Sequence, residues 1–446
     1  MAVTRIKTGS SFTSLVKSDS FLAGNPPRET YWIGVIGGSS TEIAYNSAFD
    51  SSGNVYIFGR SNSSGSYRQT IAKYNKSGTL QWQKQLSNDT HPGYYECWGA
   101  VDSSDNPIAY NSTSTGGGGG VIVTKLTPAG AITWQRAMGT SNDAFTDTIT
   151  TDSSGNIYVG GPMNDGGGYK LYGIKYNSSG TLQWQQRTSG EGHGITVDSS
   201  GNVYTGGFAG SVYGLQLNKY NSSGSLQFQK RTRGEFGYDT YGGKVVCDSA
   251  GNTYSAGLFR QSGGAGYEFG LIKRDSSGSL VWQRVIRNSS SSYGVVVTNL
   301  AVDSSDNIYG TGYTEVGSRA VGIVAKWNSS GTLQWQRSIT SSSNSCAFAD
   351  VKINSDGATM YLSGYTNVSG NYDYMIFKLK TDGTLTGTYT VGSYSYTYAA
   401  STFTETAYGG TDESGSTTVT GAGTLSTSTP SNTISNTSFT DAVTTI

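Results

Sequence analysis

Few residues in this sequence are of a type and at a spacing that could do chemistry. The two histidines, His91 and His193, lie in loops far apart along the chain, and an isolated loop histidine reads as solvated rather than catalytic. Three cysteines, Cys97, Cys247 and Cys346, are an odd number with no Cys-x-x-Cys pair. Neither full disulfide pairing nor a thiolate metal site is expected, and they read as small buried hydrophobes. A recurring Asp-Ser-Ser-Gly-Asn phrase has the look of a calcium loop, but it lacks the alternating carboxylates and terminal Glu of an EF-hand. Turn chemistry accounts for it. The run Gly116 to Gly120 is followed by no helix that could receive a phosphate. No Ser-His-Asp set or carboxylate pair stands out, so the expectation is a chain that is not an enzyme and holds no cofactor or metal.

The elements around these residues are written in a repeat. The phrase Asp-Ser-Ser-Gly-Asn-(Val/Ile)-Tyr recurs with its first position at Asp50, Asp102, Asp152, Asp198, Asp248, Asp303 and Asn354. A second phrase, Lys-Tyr-Asn-Ser-Ser-Gly-Thr-Leu-Gln-Trp-Gln, keeps step with it, with Lys at 73, 125, 175, 219, 273, 326 and 378. Two phrases in step through seven copies of about fifty residues predict seven blades of a β-propeller. Each copy supplies four short strands: a ends at the Asp, b opens at the Val-Tyr, c ends at the Lys-Tyr, and d carries Leu-Gln-Trp. Short Ser-Gly turns join a to b and c to d. The Tyr column on strand b and the Trp column on strand d (Trp82, Trp134, Trp184, Phe228, Trp282, Trp335) read as wedges between adjacent blades rather than as exposed stacking platforms.

The seventh copy lacks its d strand, for Leu385-Thr386-Gly387 stands where Leu-Gln-Trp belongs. The missing aromatic is at the other end of the chain, in Thr30-Tyr31-Trp32-Ile33-Gly34-Val35-Ile36. Trp32 lies 18 residues before Asp50, the same interval as Trp134 to Asp152. An N-terminal strand is therefore expected to complete blade seven and close the ring. The fold class is all-β: a polar N-terminal arm at 1–28, the seven-bladed propeller of four-stranded antiparallel blades at 29–387, and a C-terminal tail at 388–446. The tail is rich in Ser, Thr and Tyr and contains no Lys or Arg. Its alternating Tyr394, Tyr396 and Tyr398 favour a strand; the rest reads as extended or partner-dependent, able to add strands to a neighbour's edge.

Composition narrows the partners. Lys plus Arg and Asp plus Glu number 30 each, so the basic excess of a nucleic-acid binder is lacking. No run of eighteen apolar residues is present, so no membrane insertion is expected. The opening Met-Ala-Val-Thr-Arg-Ile-Lys has no apolar stretch behind it and is not read as a secretory signal. With 63 Gly, 31 Tyr and abundant Ser, the chain nonetheless looks made for an exterior surface.

The double phrase resembles the bacterial seven-bladed propeller repeat family over residues 30–387. The whole chain, with its Met-Ala-Val-Thr-Arg-Ile-Lys opening and Ser/Thr/Tyr-rich tail, looks like large structural proteins of tailed phages, particularly those of marine cyanobacteria. That resemblance implies a non-enzymatic virion component, tail- or fibre-associated or otherwise surface-exposed. It would be made in the host cytoplasm and joined to other virion proteins through its N-terminal arm or C-terminal tail, with a host-surface glycan or protein as its target. The alternative is an exported bacterial adhesin or carbohydrate-binding propeller.

Ligand contact is expected on the face carrying the b–c and d–a loops, because the Ser-Gly turns of the opposite face are nearly identical. The d–a loops differ, among them Ser141 to Asp147 and Ser189 to His193. The candidate ligand-binding residues are Tyr94, Tyr95, Phe236, Tyr238, Asp239 and Tyr241 from d–a loops, with Arg260 and Tyr267 from a b–c loop; Arg60, Tyr67 and Tyr372 lie on b–c loops of the same face. Aromatic planes beside carboxylates and amides suit sugars or a protein partner.

Overall fold

The computed structural model describes residues 31–37, 41–62, 67–86, 97–115, 118–139, 144–164, 166–208, 214–233, 240–260, 266–287, 294–341, 343–368, 371–391, 394–401 and 403–407, and strands at 411–414, 420–421, 426–428, 434–436 and 440–445. The N-terminal arm expected at 1–28 lies outside them. No helix occurs among the described residues.

The strands form seven antiparallel sheets in chain order. Blade 1 consists of a (Glu42–Phe49), b (Val55–Ser61), c (Arg68–Tyr74) and d (Leu80–Leu86), and blades 2 to 6 repeat the pattern. The a strands are innermost. Each packs against the a strands of both neighbours, blade 7 against blade 1 included, which makes a closed seven-bladed propeller.

The repeated residues explain why each hairpin forms and why the blades adhere. In blade 3, Asp152 Oδ1 accepts the backbone N–H groups of Ser154 and Asn156, each at 2.9 Å, while Oδ2 accepts the Asn156 amide at 2.7 Å and the Tyr158 hydroxyl at 2.8 Å. One carboxylate thus fixes the a–b turn and anchors the strand-b tyrosine. The strand-c lysine closes on the same group, at 2.6 Å for Lys125 and Asp102. Burial alone would raise the Asp102 carboxyl, but Lys125 and the N–H groups of Asn106 and Ser104 outweigh it and hold it below the usual carboxylate range.

Between blades, each strand-d tryptophan donates its indole N–H to a carbonyl in the next blade's c–d turn: Trp82 to Pro128, Trp134 to Ser178, Trp184 to Ser222, Trp282 to Ser329 and Trp335 to Thr381, at 3.1 to 3.3 Å. Phe228 occupies the same column in blade 4 and has no such donor. The turn glycine lies flat beneath the ring. At Gly180, with φ +79°, an added Cβ would come within 2.9 Å of Trp134, so both the left-handed backbone and the close approach require glycine.

The ring closes as the sequence predicts. The strand Trp32–Gly37 pairs with strand c of blade 7 (Asn371–Lys380) in the register Trp32 opposite Lys378. Trp32 donates to Lys76 O of blade 1 at 3.3 Å, completing the set of inter-blade bonds. It is fully buried, against Tyr74 and Tyr361 at 6.4 Å each.

The tail, expected to add strands to a neighbour, adds them to its own blades. Tyr394–Ala400 pairs with strand d of blade 6, and the chain then runs backwards round the ring. Thr404–Ala407, Thr411–Ser414, Thr420–Gly421, Ser426–Ser428 and Ile434–Asn436 become outer strands of blades 5, 4, 3, 2 and 1. Thr440–Thr445 ends on Trp32–Gly37 of blade 7. Every blade thereby has its d edge covered, and the N-terminal strand is held from both sides.

Candidate functional site

In five blades strand a carries a register shift about five residues before the repeated Asp: at Ala44/Asn46, Gly192/Gly194, Gly242/Lys244, Val297/Asn299 and Phe348/Asp350. The cause lies on strand b, where a glycine faces the shift. A Cβ on Gly59 would lie 2.3 Å from Ile43 O, and one on Gly207 2.2 Å from Glu191 O. Blade 2 has Asn111 in that column, and there Cys97 pairs with it directly. A bulge re-aims the side chain of the extra residue. Counted back from the repeated Asp, this position holds Tyr45 in blade 1, Asp147 in blade 3 and His193 in blade 4.

These three side chains help line a cavity of about 550 Å³. Arg60 from the end of strand b in blade 1, Ser112 of blade 2, Phe145, Thr146 and Pro162 of blade 3, and Glu191 of blade 4 complete its wall. Its lining residues stand at the starts of a strands and the ends of b strands, the ends that the d–a and b–c loops join.

On one side a carboxylate is fully engaged. Asp147 Oδ2 lies 2.6 Å from His193 Nδ1, and Oδ1 lies 3.3 Å from Lys244 Nζ, which reaches over from blade 5. All three side chains are at least three-quarters buried. Burial pushes the Asp147 carboxyl upward, but Lys244 and His193 overcome this and hold it well below the usual carboxylate range. The Lys244 ammonium also lies 4.5 Å from the Trp98 ring, which packs 6.3 Å from Tyr45. On the other side the Arg60 guanidinium stands 4.5 Å from the Tyr67 ring and 5.6 Å from the Tyr45 ring. Its Nε is buried and has no hydrogen-bond partner among the described residues.

The sequence reading of His193 as a solvated loop residue is therefore corrected. It sits at a bulge on Glu191–Val197, oriented by a carboxylate that sequence places 46 residues earlier. Of the eight ligand-binding candidates, Tyr94, Tyr95, Phe236, Tyr238 and Asp239 lie outside the described residues. Tyr241, Arg260 and Tyr267 fall on strands a, b and c of blade 5, with Tyr241 opposite Leu258 and Arg260 opposite Tyr267. Tyr267 does not line the cavity, whereas Arg60 does and Tyr67 packs against its guanidinium. No cluster of three or more potential metal ligands occurs among the described residues.

No family model matches the chain, and no curated protein matches it. Solved structures do. A polysaccharide lyase described as a PL25 ulvan lyase, bound to -[GlcA(1-4)Rha3S]-, aligns with a TM-score of 0.50 at 10% identity, over 78% of this chain and 96% of that one. The β-propeller domain of the Trilobed protease from Pyrococcus furiosus, described as having an open velcro topology, aligns with a TM-score of 0.45 at 8% identity, over 77% and 98%. The NanB sialidase of Streptococcus pneumoniae aligns more loosely, with a TM-score of 0.37 at 10% identity, over 85% and 70%. At these identities the likeness is one of fold. The expectation that this chain is not an enzyme is corrected to that extent: its fold is one on which a polysaccharide lyase is also built.

Proposed function

We propose that this chain is a carbohydrate-binding propeller and that the cavity at the mouth of blades 1 to 4 is where a polysaccharide segment docks. The observation that carries this is the composition of the cavity wall: the Tyr45 ring and the Arg60 guanidinium, the latter backed by Tyr67, together with a fixed imidazole–carboxylate pair. Aromatic faces cover the C–H side of a sugar, while guanidinium and carboxylate groups take its hydroxyl and acid oxygens. A volume of about 550 Å³ is in the range of sites that enclose a small ligand or one to two sugar rings. The shared fold with a lyase described with a glucuronate-containing ligand supports a sugar over a peptide. The virion setting implied by the sequence resemblance, with a host-surface glycan or protein as target and the N-terminal arm or C-terminal tail as attachment, remains part of this proposal and rests on that resemblance alone.

The test is retardation of the purified protein in native gels cast with individual polysaccharides, acidic and neutral. At least one polymer should retard the wild type, and Arg60→Ala with Tyr45→Ala should abolish this while leaving the thermal midpoint within a few degrees. Retardation that survives the double substitution would place the sugar elsewhere.

A further inference from the structure

The cavity holds an imidazole that a carboxylate orients. A carboxylate only accepts hydrogen bonds, so with Asp147 Oδ2 at 2.6 Å from His193 Nδ1 the imidazole proton resides on Nδ1. Nε2 is the ring nitrogen that Asp147 does not engage, and His193 lines the cavity. Glycoside hydrolysis by two carboxyl groups needs one as acid and the other as base or nucleophile. Asp147 is unavailable for either part, since both its oxygens are engaged. Glu191 is the other carboxylate in the wall among the described residues. What the site does present is an oriented imidazole base together with a guanidinium whose buried Nε is unpartnered. That pairing suits removal of a proton from a carbon next to a carboxylate, where the cation stabilises the charge that develops on the acid.

We infer that His193, positioned by Asp147, abstracts the C5 proton of a 4-linked uronate whose carboxylate is held by Arg60, so that the propeller cleaves an acidic polysaccharide by β-elimination. This rests on the carbohydrate-binding reading and adds the reaction and the substrate class. The C5–H bond breaks and its proton passes to Nε2. The electron pair forms the C4=C5 double bond as the C4–O4 bond breaks. The departing O4 takes the proton back from the imidazolium, giving a new chain end with a free hydroxyl and an unsaturated uronate on the other fragment. The imidazole is regenerated, and no oxidant, water or further reactant is consumed. His193 would be the catalytic residue, Arg60 the substrate clamp and Asp147 a positioning residue.

The experiment follows the ultraviolet absorbance of the conjugated C4=C5 carboxylate with polygalacturonate, hyaluronan and chondroitin as probes and dextran as the neutral control, alongside native-gel retardation in the same polymers. Absorbance should rise with at least one acidic polymer and stay flat with dextran. His193→Ala should lower the rate by about 100-fold or more while retardation is kept. Asp147→Asn should lower kcat with little change in KM and shift the pH profile, which a purely structural role would not do. Retardation by an acidic polymer with no rise in absorbance from the wild type overturns the elimination and leaves the binding reading standing. An undiminished rate in His193→Ala removes His193 as the base. Absence of retardation by every polymer removes both.

Discussion

Replacing Trp32 with Ala isolates what the N-terminal strand contributes to the ring. Trp32 is wholly buried among Tyr74, Tyr361, Val55 and Ile376, whereas Trp134, its counterpart in blade 2, is half-buried. Each donates one indole hydrogen bond of 3.3 Å to the next blade, so that loss is common to both substitutions. Truncating a buried aromatic costs about 3–5 kcal/mol, and losing the hydrogen bond adds about 1 kcal/mol. Trp32→Ala should therefore cost about 4–6 kcal/mol and Trp134→Ala about 2 kcal/mol less, a difference due to burial. Urea unfolding followed by circular dichroism reads both. If Trp134→Ala proves as costly as Trp32→Ala, the N-terminal strand is not the keystone of the ring.

Two further perturbations follow from the same packing. Burial, with Glu42 beside it, raises the Asp373 carboxyl to about 7. Between about pH 4 and pH 7 the folded protein therefore binds the proton more tightly than the unfolded chain, so stability falls as pH rises through that window and levels off above it. Asp373→Asn should flatten this dependence and stabilise the protein at pH 8 by on the order of 1 kcal/mol once solvent screening is allowed for; a wild-type curve that rises with pH across the window would contradict it. Ending the chain after Ser401 removes the outer strands of blades 5, 4, 3, 2, 1 and 7 and uncovers their d edges. The ring should still fold, but light scattering should show concentration-dependent association, and a truncated protein that stays monomeric would show that the belt does not protect those edges.

The ring was legible in the sequence because its physics repeats. Asp152 and its equivalents fix a turn in every copy, and Trp32 announces blade seven through an interval set by the blade itself. The belt was not, because its strands pair over as few as two residues, as at Thr420–Gly421, and leave no alternation to read in a Ser/Thr-rich tail. The site was half visible. Asp147 and His193 stand at the ends of d–a loops, and Arg60 is on the expected face, yet nothing in a linear reading says that they meet. The signal that would have found them is the column five residues before the repeated Asp. Among near-identical repeats it changes from Tyr45 to Cys97, Asp147, His193, Gly243, Thr298 and Ala349, and in the five bulged blades a strand-b glycine makes room for the bulge. The candidates near Tyr238 came from loop composition, which identifies exposed aromatic groups but not which of them converge.

The central claim, that sugar docks between Arg60 and the Asp147–His193 pair, is tested most directly by a crystal structure of the His193→Ala protein soaked with an oligouronate. The account predicts sugar density in the cavity, with a carboxylate on the Arg60 guanidinium and a ring face against Tyr45. Ordered sugar on the blade 5 loops around Tyr241 and Tyr267, with the cavity holding only water, would contradict it.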